Sequence, residues 1–264
     1  MRAALAAPSR ERLADIGRGW PPREPASARR AICAIGAGPY EDVLAVSAVG
    51  IEAYAALHGY DVVLCTEFLA PERPPSWSRI PLIQALLGEY ELVVWIDADA
   101  MLVEVGTDIA DELPPDAELG LVEHRWYGGE RRSANAGVMA LRSTEWTRAL
   151  LDRIWAAEQF VGHAWWENAA LLEDLGYVVP EDLSPPYRHP GSELPPQLAL
   201  LDAAWNSTAD ESASPHPRIR HLGRRESVEA LRDELIGLLP QLRCSVMAAV
   251  AARDAGWTGR ALSV

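Results

Sequence analysis

The stretch Glu91-Leu-Val-Val-Trp-Ile-Asp97-Ala-Asp99-Ala-Met-Leu102 constrains this chain more than any other. Leu92 to Ile96 is an uninterrupted apolar run rich in β-branched residues, the pattern of a strand buried on both faces. The run stops at two aspartates separated by one alanine. In open α/β sheets, ligands gather where strands end at their carboxyl side. Paired carboxylates there suit a hard divalent cation such as Mg²⁺ or Mn²⁺. Such a cation can hold a diphosphate and neutralise charge that develops on it as it leaves. A bare Asp-X-Asp is more often a solvated turn with acidic caps. The strand ahead of it and the motifs behind it shift the balance.

The chain has 264 residues, 49% of them hydrophobic, enough for one substantial core or for a domain with appendages. Its formal net charge of −14 argues against nucleic acid as a partner and against attachment to anionic lipid. It leaves room for a local arginine pocket; every Lys/Arg-type residue is arginine. Cys33, Cys65 and Cys244 share no metal-ligand spacing. Cys33 and Cys65 fall in apolar, strand-like runs and read as buried free thiols of a reducing compartment. No stretch reads as a membrane span and the start lacks a signal segment. The expectation is a cytoplasmic protein.

Residues 1–29, with Pro21, Pro22 and Pro25, read as a flexible lead-in around a short helix at Glu11 to Ile16. Ala31-Ile-Cys-Ala-Ile-Gly36-Ala-Gly38 is a strand ending in small residues. Gly36 lets backbone approach something closely, either a nucleotide or the chain itself in a tight turn. A dinucleotide fingerprint is excluded, because no third glycine opens the next helix. Tyr40 to Leu57 has helical periodicity, stopped by His58-Gly59, and Tyr60 to Cys65 is the second strand. This βαβ rhythm predicts a mostly parallel sheet with flanking helices. Arg79 opens a helix just ahead of the aspartate strand, placed either to reach a phosphate or to lie on the surface.

After the aspartates come an acidic helix–loop over 108–115, a strand at Leu119–His124 and a loop at 125–132 hinged by Gly128 and Gly129. That loop has the composition of a substrate cover or of a solvated hairpin. Asn135 and Gly137 lead into the next strand. They suit contact with sugar hydroxyls, and they equally suit a turn entering a core strand. A helix capped by Ser143 or Thr144 follows. Trp165-Trp166-Glu167-Asn168 opens another, either capping it or presenting an acid–amide pair to a polar substrate beside aromatic faces. Residues 181–218 have many prolines and no long apolar period. Pro217 to Arg224 is a short strand carrying His221. Ser227–Leu239 and Ser245–Gly256 read as two C-terminal helices, packed on the domain or mediating a homodimer.

Taken in order, these motifs resemble a known family: Tyr54-x-x-x-His58-Gly59-Tyr60, Trp77-Ser-Arg79-Ile, Trp95-Ile-Asp97-Ala-Asp99-Ala, Asn135-Ala-Gly137-Val-x-x-x-Arg142-x-x-x-Trp146, Glu167-Asn168-x-Ala170-Leu171 and His221-Leu-Gly223. The family joins fungal galactosyl- and mannosyltransferases with plant xyloglucan xylosyltransferases, and the resemblance covers about residues 31–224. It implies the GT-A fold, a nucleoside diphosphate sugar donor with Mn²⁺, and retention of anomeric configuration. By that resemblance Asp99 binds the metal, Asp97 contacts metal, ribose or both, and His221 is the C-terminal metal ligand. Asn135 and Gly137 line the donor sugar. Glu167 and Asn168 occupy the place of an acidic residue followed by glutamine, so Asn168 departs from the pattern with a shorter reach. The family's membrane anchor is missing, which points to a cytosolic bacterial setting.

The sequence therefore predicts a GT-A domain over 30–224, its nucleotide-binding half about 30–104 and its acceptor half about 105–224, followed by C-terminal helices over 225–264. The expected reaction moves a sugar from a UDP- or GDP-sugar to a hydroxyl of a glycan or small metabolite. Asp97, Asp99 and His221 hold Mn²⁺ or Mg²⁺. Gly36, Arg79, Asn135, Gly137 and Arg224 line the nucleotide-sugar site, and Glu167 and Asn168 stand at the reacting centre. The competing readings are a sugar nucleotidyltransferase and a non-catalytic sugar-nucleotide-binding protein. The first is disfavoured because acidic Glu41-Asp42 stands where a basic phosphate loop is needed.

Overall fold

β3 (Leu92–Ile96) is buried at every position and lies inside a six-stranded sheet, as an all-apolar strand demands. The computed structural model describes residues 29–258 apart from 127–130, 182–183, 190, 210–212 and 224. Arg224, the Gly128–Gly129 hinge and the helix expected at Glu11 to Ile16 thus lie outside the described residues. The strand order is β2 (Asp61–Cys65), β1 (Arg30–Ile35), β3, β6 (Arg131–Arg142), β5 (Leu119–Trp126), β7 (Leu198–Leu201). β1 runs parallel to β2 and β3, and β5 parallel to β7. β6 is antiparallel to both neighbours. The predicted mostly parallel α/β sheet is found, with one reversed strand beside the aspartate strand.

That reversal matters for position. Pairing Ile96 with Val138 sets the middle of β6 against the carboxyl end of β3, and Asp97 N–H donates to the Gly137 carbonyl at 2.8 Å. A second, two-stranded ribbon pairs β4 (Ala100–Leu102) with β8 (Ile219–His221), setting Ala100 opposite His221.

Strand alternation sorts side chains into two apolar layers. Ala31, Cys33, Val93 and Trp95 face one layer, with α2 (Arg79–Leu87), α4 (Glu145–Ala156) and α5 (Trp166–Asp174). Ile32, Ala34, Val94 and Ile96 face the other, with α1 (Glu41–His58) and α6 (Val228–Thr258). α1 ends as its sequence predicts, on Gly59 in the left-handed region with φ 75°. At Gly36 a Cβ would stand 2.6 Å from the Tyr40 carbonyl. The close approach foreseen at Gly36 is therefore to the entry of α1.

Two expectations need correction. The predicted loop at 125–132 is shorter, because the β5–β6 ladder continues through Arg125–Arg132 and Trp126–Arg131. The two predicted C-terminal helices are one, α6, which runs through Pro240. A proline inside a helix removes one hydrogen bond and crowds the preceding turn. Here Leu231 and Leu235 before it and Leu242 after it are all buried on the domain, and that packing holds the two halves in line. Continuity also bears on the expectation that no stretch is long or apolar enough to span a membrane. Val228–Arg253 is long and apolar enough by length and composition alone, a test that the core helix of a soluble protein also passes.

Candidate active site

Asp97 and Asp99 follow β3 directly, and the β4–β8 ribbon brings His221 onto them. Leu222 N–H donates to the Asp99 carbonyl at 3.0 Å, which fixes the approach. His221 Nε2 stands 3.3 Å from Asp99 Oδ1 and 4.0 Å from Asp97 Oδ2. One ligand atom from each of the three residues lies within 4.8 Å of the others. Burial disfavours the imidazolium, but Asp99 and Asp97 outweigh it and raise the His221 pKa above its ordinary value. Burial likewise works against the Asp99 carboxylate, and His221 outweighs it, holding that carboxyl below the usual range. Asp97 goes the other way: burial raises it despite the pull of Arg79.

Arg79 is buried and joins the two acidic parts of the site. Its Nη2 lies 3.0 Å from Asp97 Oδ1 and its Nε 3.1 Å from Glu167 Oε1. Nη1 donates to the Ala136 carbonyl at 2.7 Å, and the guanidinium sits 5.0 Å from the centre of the Trp95 ring. It is thus not a surface arginine: Nη1 and Nη2 are engaged by the site itself, and the side chain also lines the cleft. Ser76 Oγ donates to the second Glu167 oxygen. Asn168 Oδ1 accepts from Ala136 N–H at 3.0 Å, so the residue in the glutamine place braces β6. Trp166, just before Glu167, has φ 46°, a backbone conformation that costs an aromatic residue energy and clusters at functional sites.

Asn135 and Gly137 meet the Asp97–Asp99–His221 cluster from the β6 side. Asn135 Oδ1 accepts from Gly137 N–H at 2.7 Å and from Asn206 Nδ2 at 3.0 Å. Asn206, fully buried, lies 2.8 Å through Oδ1 from His221 Nδ1. A Cβ on Gly137 would come within 2.6 Å of that same nitrogen. The space freed at Gly137 is filled by the imidazole, where the resemblance implied a donor sugar.

In front of the carboxylates opens a cleft of about 470 Å³, walled by Tyr40, Phe68, Trp95, Asp97, Asp99 and Trp166 among others. Phe68 is 42% exposed although large and apolar, and its contribution is to this wall. Neither Glu167 nor Gly36 is part of the wall, although Ser76, Arg79, Ile35 and Ala37 beside them are.

The structure therefore gathers Asp97, Asp99, His221, Arg79, Glu167, Asn168, Asn135 and Gly137 into one cluster, with Gly36 behind the rim. Sequence reasoning missed three members. Trp95 donates from Nε1 to Asp97 Oδ1 at 2.7 Å, and the two-residue period of a strand could have placed it there. Ser76 and Asn206 carried no local signal, since each becomes meaningful only through a partner far along the chain.

The architecture is that of the GT-A fold. The fold is shared with the crystal structure of a glycosyltransferase involved in the glycosylation of the major capsid of PBCV-1, at a TM-score of 0.54 and 17% identity over 78% of this chain and 98% of that one. Within that class, residues 49–121, which include Asp97 and Asp99, match the galactosyl transferase GMA12/MNN10 family. The chain is 34% identical over 113 residues to Probable glycosyltransferase 5 of Oryza sativa subsp. indica, spanning 39% of this chain and 24% of that protein. It is 35% identical over 113 residues to Xyloglucan 6-xylosyltransferase 2 of Arabidopsis thaliana, spanning 39% of this chain and 23% of that one. The family resemblance read from the motifs stands, and the matched stretch spans less than a quarter of these relatives.

Proposed function

We propose that this protein is a glycosyltransferase that moves a sugar from a UDP- or GDP-sugar to a hydroxyl of a glycan or small metabolite. The observation that carries the reading is the convergence of Asp97, Asp99 and His221 beside the cleft at the carboxyl end of β3. These three side chains would hold Mn²⁺ or Mg²⁺, which when bound supplies electrostatic stabilisation of a departing diphosphate. Two carboxylates with one imidazole suit Mn²⁺ better than Mg²⁺, which prefers oxygen throughout.

The chain's own residues supply the rest. Arg79 fixes Asp97 and balances its charge in a buried setting, so little reorganisation is needed during reaction. Glu167, clamped by Ser76 and Arg79, sets a negative field behind the reacting centre, which favours positive charge growing at the anomeric carbon. Asn168 keeps β6 in place beside it. Tyr40, Phe68 and Trp166 offer flat faces for a base and a sugar ring. Glycosidases use two carboxylates for a related task, but a diphosphate leaves without a general acid and its oxygens can take the acceptor's proton. Retention of configuration enters through the family resemblance. Cys33 and Cys65 are buried and neither is in a disulfide, which supports a reducing, cytoplasmic setting.

Incubation with a panel of UDP- and GDP-sugars tests this. Nucleotide release that stops in EDTA and returns with Mn²⁺ is expected, and NMR of the product anomer reads retention. Binding across the panel without turnover would leave a sugar-nucleotide-binding protein. Pyrophosphate formed from nucleoside triphosphate and sugar phosphate would make it a nucleotidyltransferase.

A further inference from the structure

We infer that the backbone N–H of Gly137, acting through the side chains of Asn135 and Asn206, keeps a proton on Nδ1 of His221 and so makes Nε2 the nitrogen that would meet a cation beside Asp97 and Asp99. Side-chain amides and imidazoles ordinarily leave their orientation open, since either end can be donor or acceptor. Here the series ends on a group that cannot be reversed. A backbone N–H only donates. The Asn135 atom 2.7 Å from it is therefore the amide oxygen. The Asn206 atom 3.0 Å from that oxygen must be the NH₂ group, because two amide oxygens at that distance would repel. The Asn135 main-chain carbonyl, 3.4 Å from the same NH₂, requires the same orientation. The other end of Asn206 is then oxygen, which only accepts. It lies 2.8 Å from His221 Nδ1, so Nδ1 bears hydrogen.

Nε2 is the atom 3.3 Å from Asp99 and 4.0 Å from Asp97, whose oxygens also only accept, so a cation between them would take the place of a proton on Nε2. Asn206 is fully buried, and the opposite orientation would set buried acceptors against each other without water to relieve them. Metal-ligating histidines commonly give their second N–H to a carboxylate or carbonyl; here a neutral amide oxygen takes that place. Asn135 and Asn206 are positioning residues. The inference deepens the metal-dependent reading and rests on it for its purpose, while the proton assignment is independent of any cation.

The test uses the full chain. Nitrogen-15 NMR of the metal-free protein is expected to show hydrogen on Nδ1, with or without a second proton on Nε2. Asn206→Ala is expected to mix the two tautomers and weaken Mn²⁺ binding by calorimetry about 10–100-fold. Asn206→Asp, which keeps an acceptor oxygen facing Nδ1 but sets its other oxygen against Asn135 Oδ1, is expected to keep hydrogen on Nδ1 while losing stability. An Nε2–H tautomer in the wild type overturns the inference. So does an Asn206→Ala protein that folds, keeps the Nδ1–H tautomer and binds Mn²⁺ as the wild type does. A wild type with the expected tautomer but no Mn²⁺ affinity upholds the proton assignment and removes the metal reading.

Discussion

Gly137 is the residue where three requirements meet: its carbonyl accepts from Asp97, its N–H donates to Asn135, and its bare Cα leaves room for the His221 ring. Gly137→Ala is expected to displace the ring, weakening Mn²⁺ binding about 10–100-fold and costing about 1–3 kcal/mol of stability through overpacking. A calorimetric Mn²⁺ titration beside a urea midpoint separates the two effects; wild-type affinity would mean the ring has another seat. Asp99→Ala is expected to abolish Mn²⁺-dependent nucleotide binding, and unchanged affinity in the same titration would remove the proposed ligand set. At this scale the carboxylates were legible, because an apolar strand ending in Asp-Ala-Asp is a local pattern. His221 was legible only through the order of motifs, since a lone histidine says nothing by itself. Asn206 was not, because what makes it part of the site is its hydrogen bonds to Asn135 on β6 and His221 on β8, neither of which is a sequence neighbour.

Among the elements, the short helix α3 (Ile109–Glu112) shows how one side chain can lock several others. Its N-cap, Asp108, accepts from Tyr60 Oη at 2.6 Å, from Ala110 N–H at 3.0 Å and from Arg30 Nη1 at 2.7 Å. Tyr54 Oη adds a longer contact of 3.3 Å, tying α1 to α3. Burial pushes the Asp108 carboxyl up, but Tyr60, Ala110 and Arg30 together outweigh it and hold it below the ordinary carboxylate value. A depressed folded pKa means the contribution is fully present above about pH 4, the unfolded value, and fades as pH falls through the folded one. Asp108→Asn is therefore expected to lower stability at pH 7 by about 2 kcal/mol, and by less at pH 3. Urea midpoints at both pH values check it, and an equal loss at both would show that charge is not the reason. α1 with its Gly59 stop, and β3, could be read from periodicity and caps. β4 and β8 could not: each is three residues long and exists because the other lies alongside.

At the scale of the whole molecule, α6 decides whether one apolar layer is closed. Leu231, Leu235 and Leu242 are buried beneath it, and Ser245 Oγ accepts from Val105 N–H at 2.9 Å. Its outer side keeps Ile236, Met247 and Val250 exposed. Leu235→Ala is expected to cost about 2–5 kcal/mol, whereas Met247→Ser, at a side chain 63% exposed, should stay within about 0.5 kcal/mol. Matching losses, or none for Leu235→Ala, would show that α6 is not part of the folded core. The sequence showed the leucine stripe but split the helix at Pro240, since local propensity is what a proline breaks and tertiary packing is what overrides it. The β4–β8 pairing has one more consequence, for synthesis. The chain leaves the ribosome N-terminus first, so both aspartates emerge well ahead of the histidine, by on the order of ten seconds at ordinary translation rates. A nascent chain halted before β8 has acidic ligands without their nitrogen partner and a short strand with one edge bare. A cation held by all three ligands would certify that translation has passed His221.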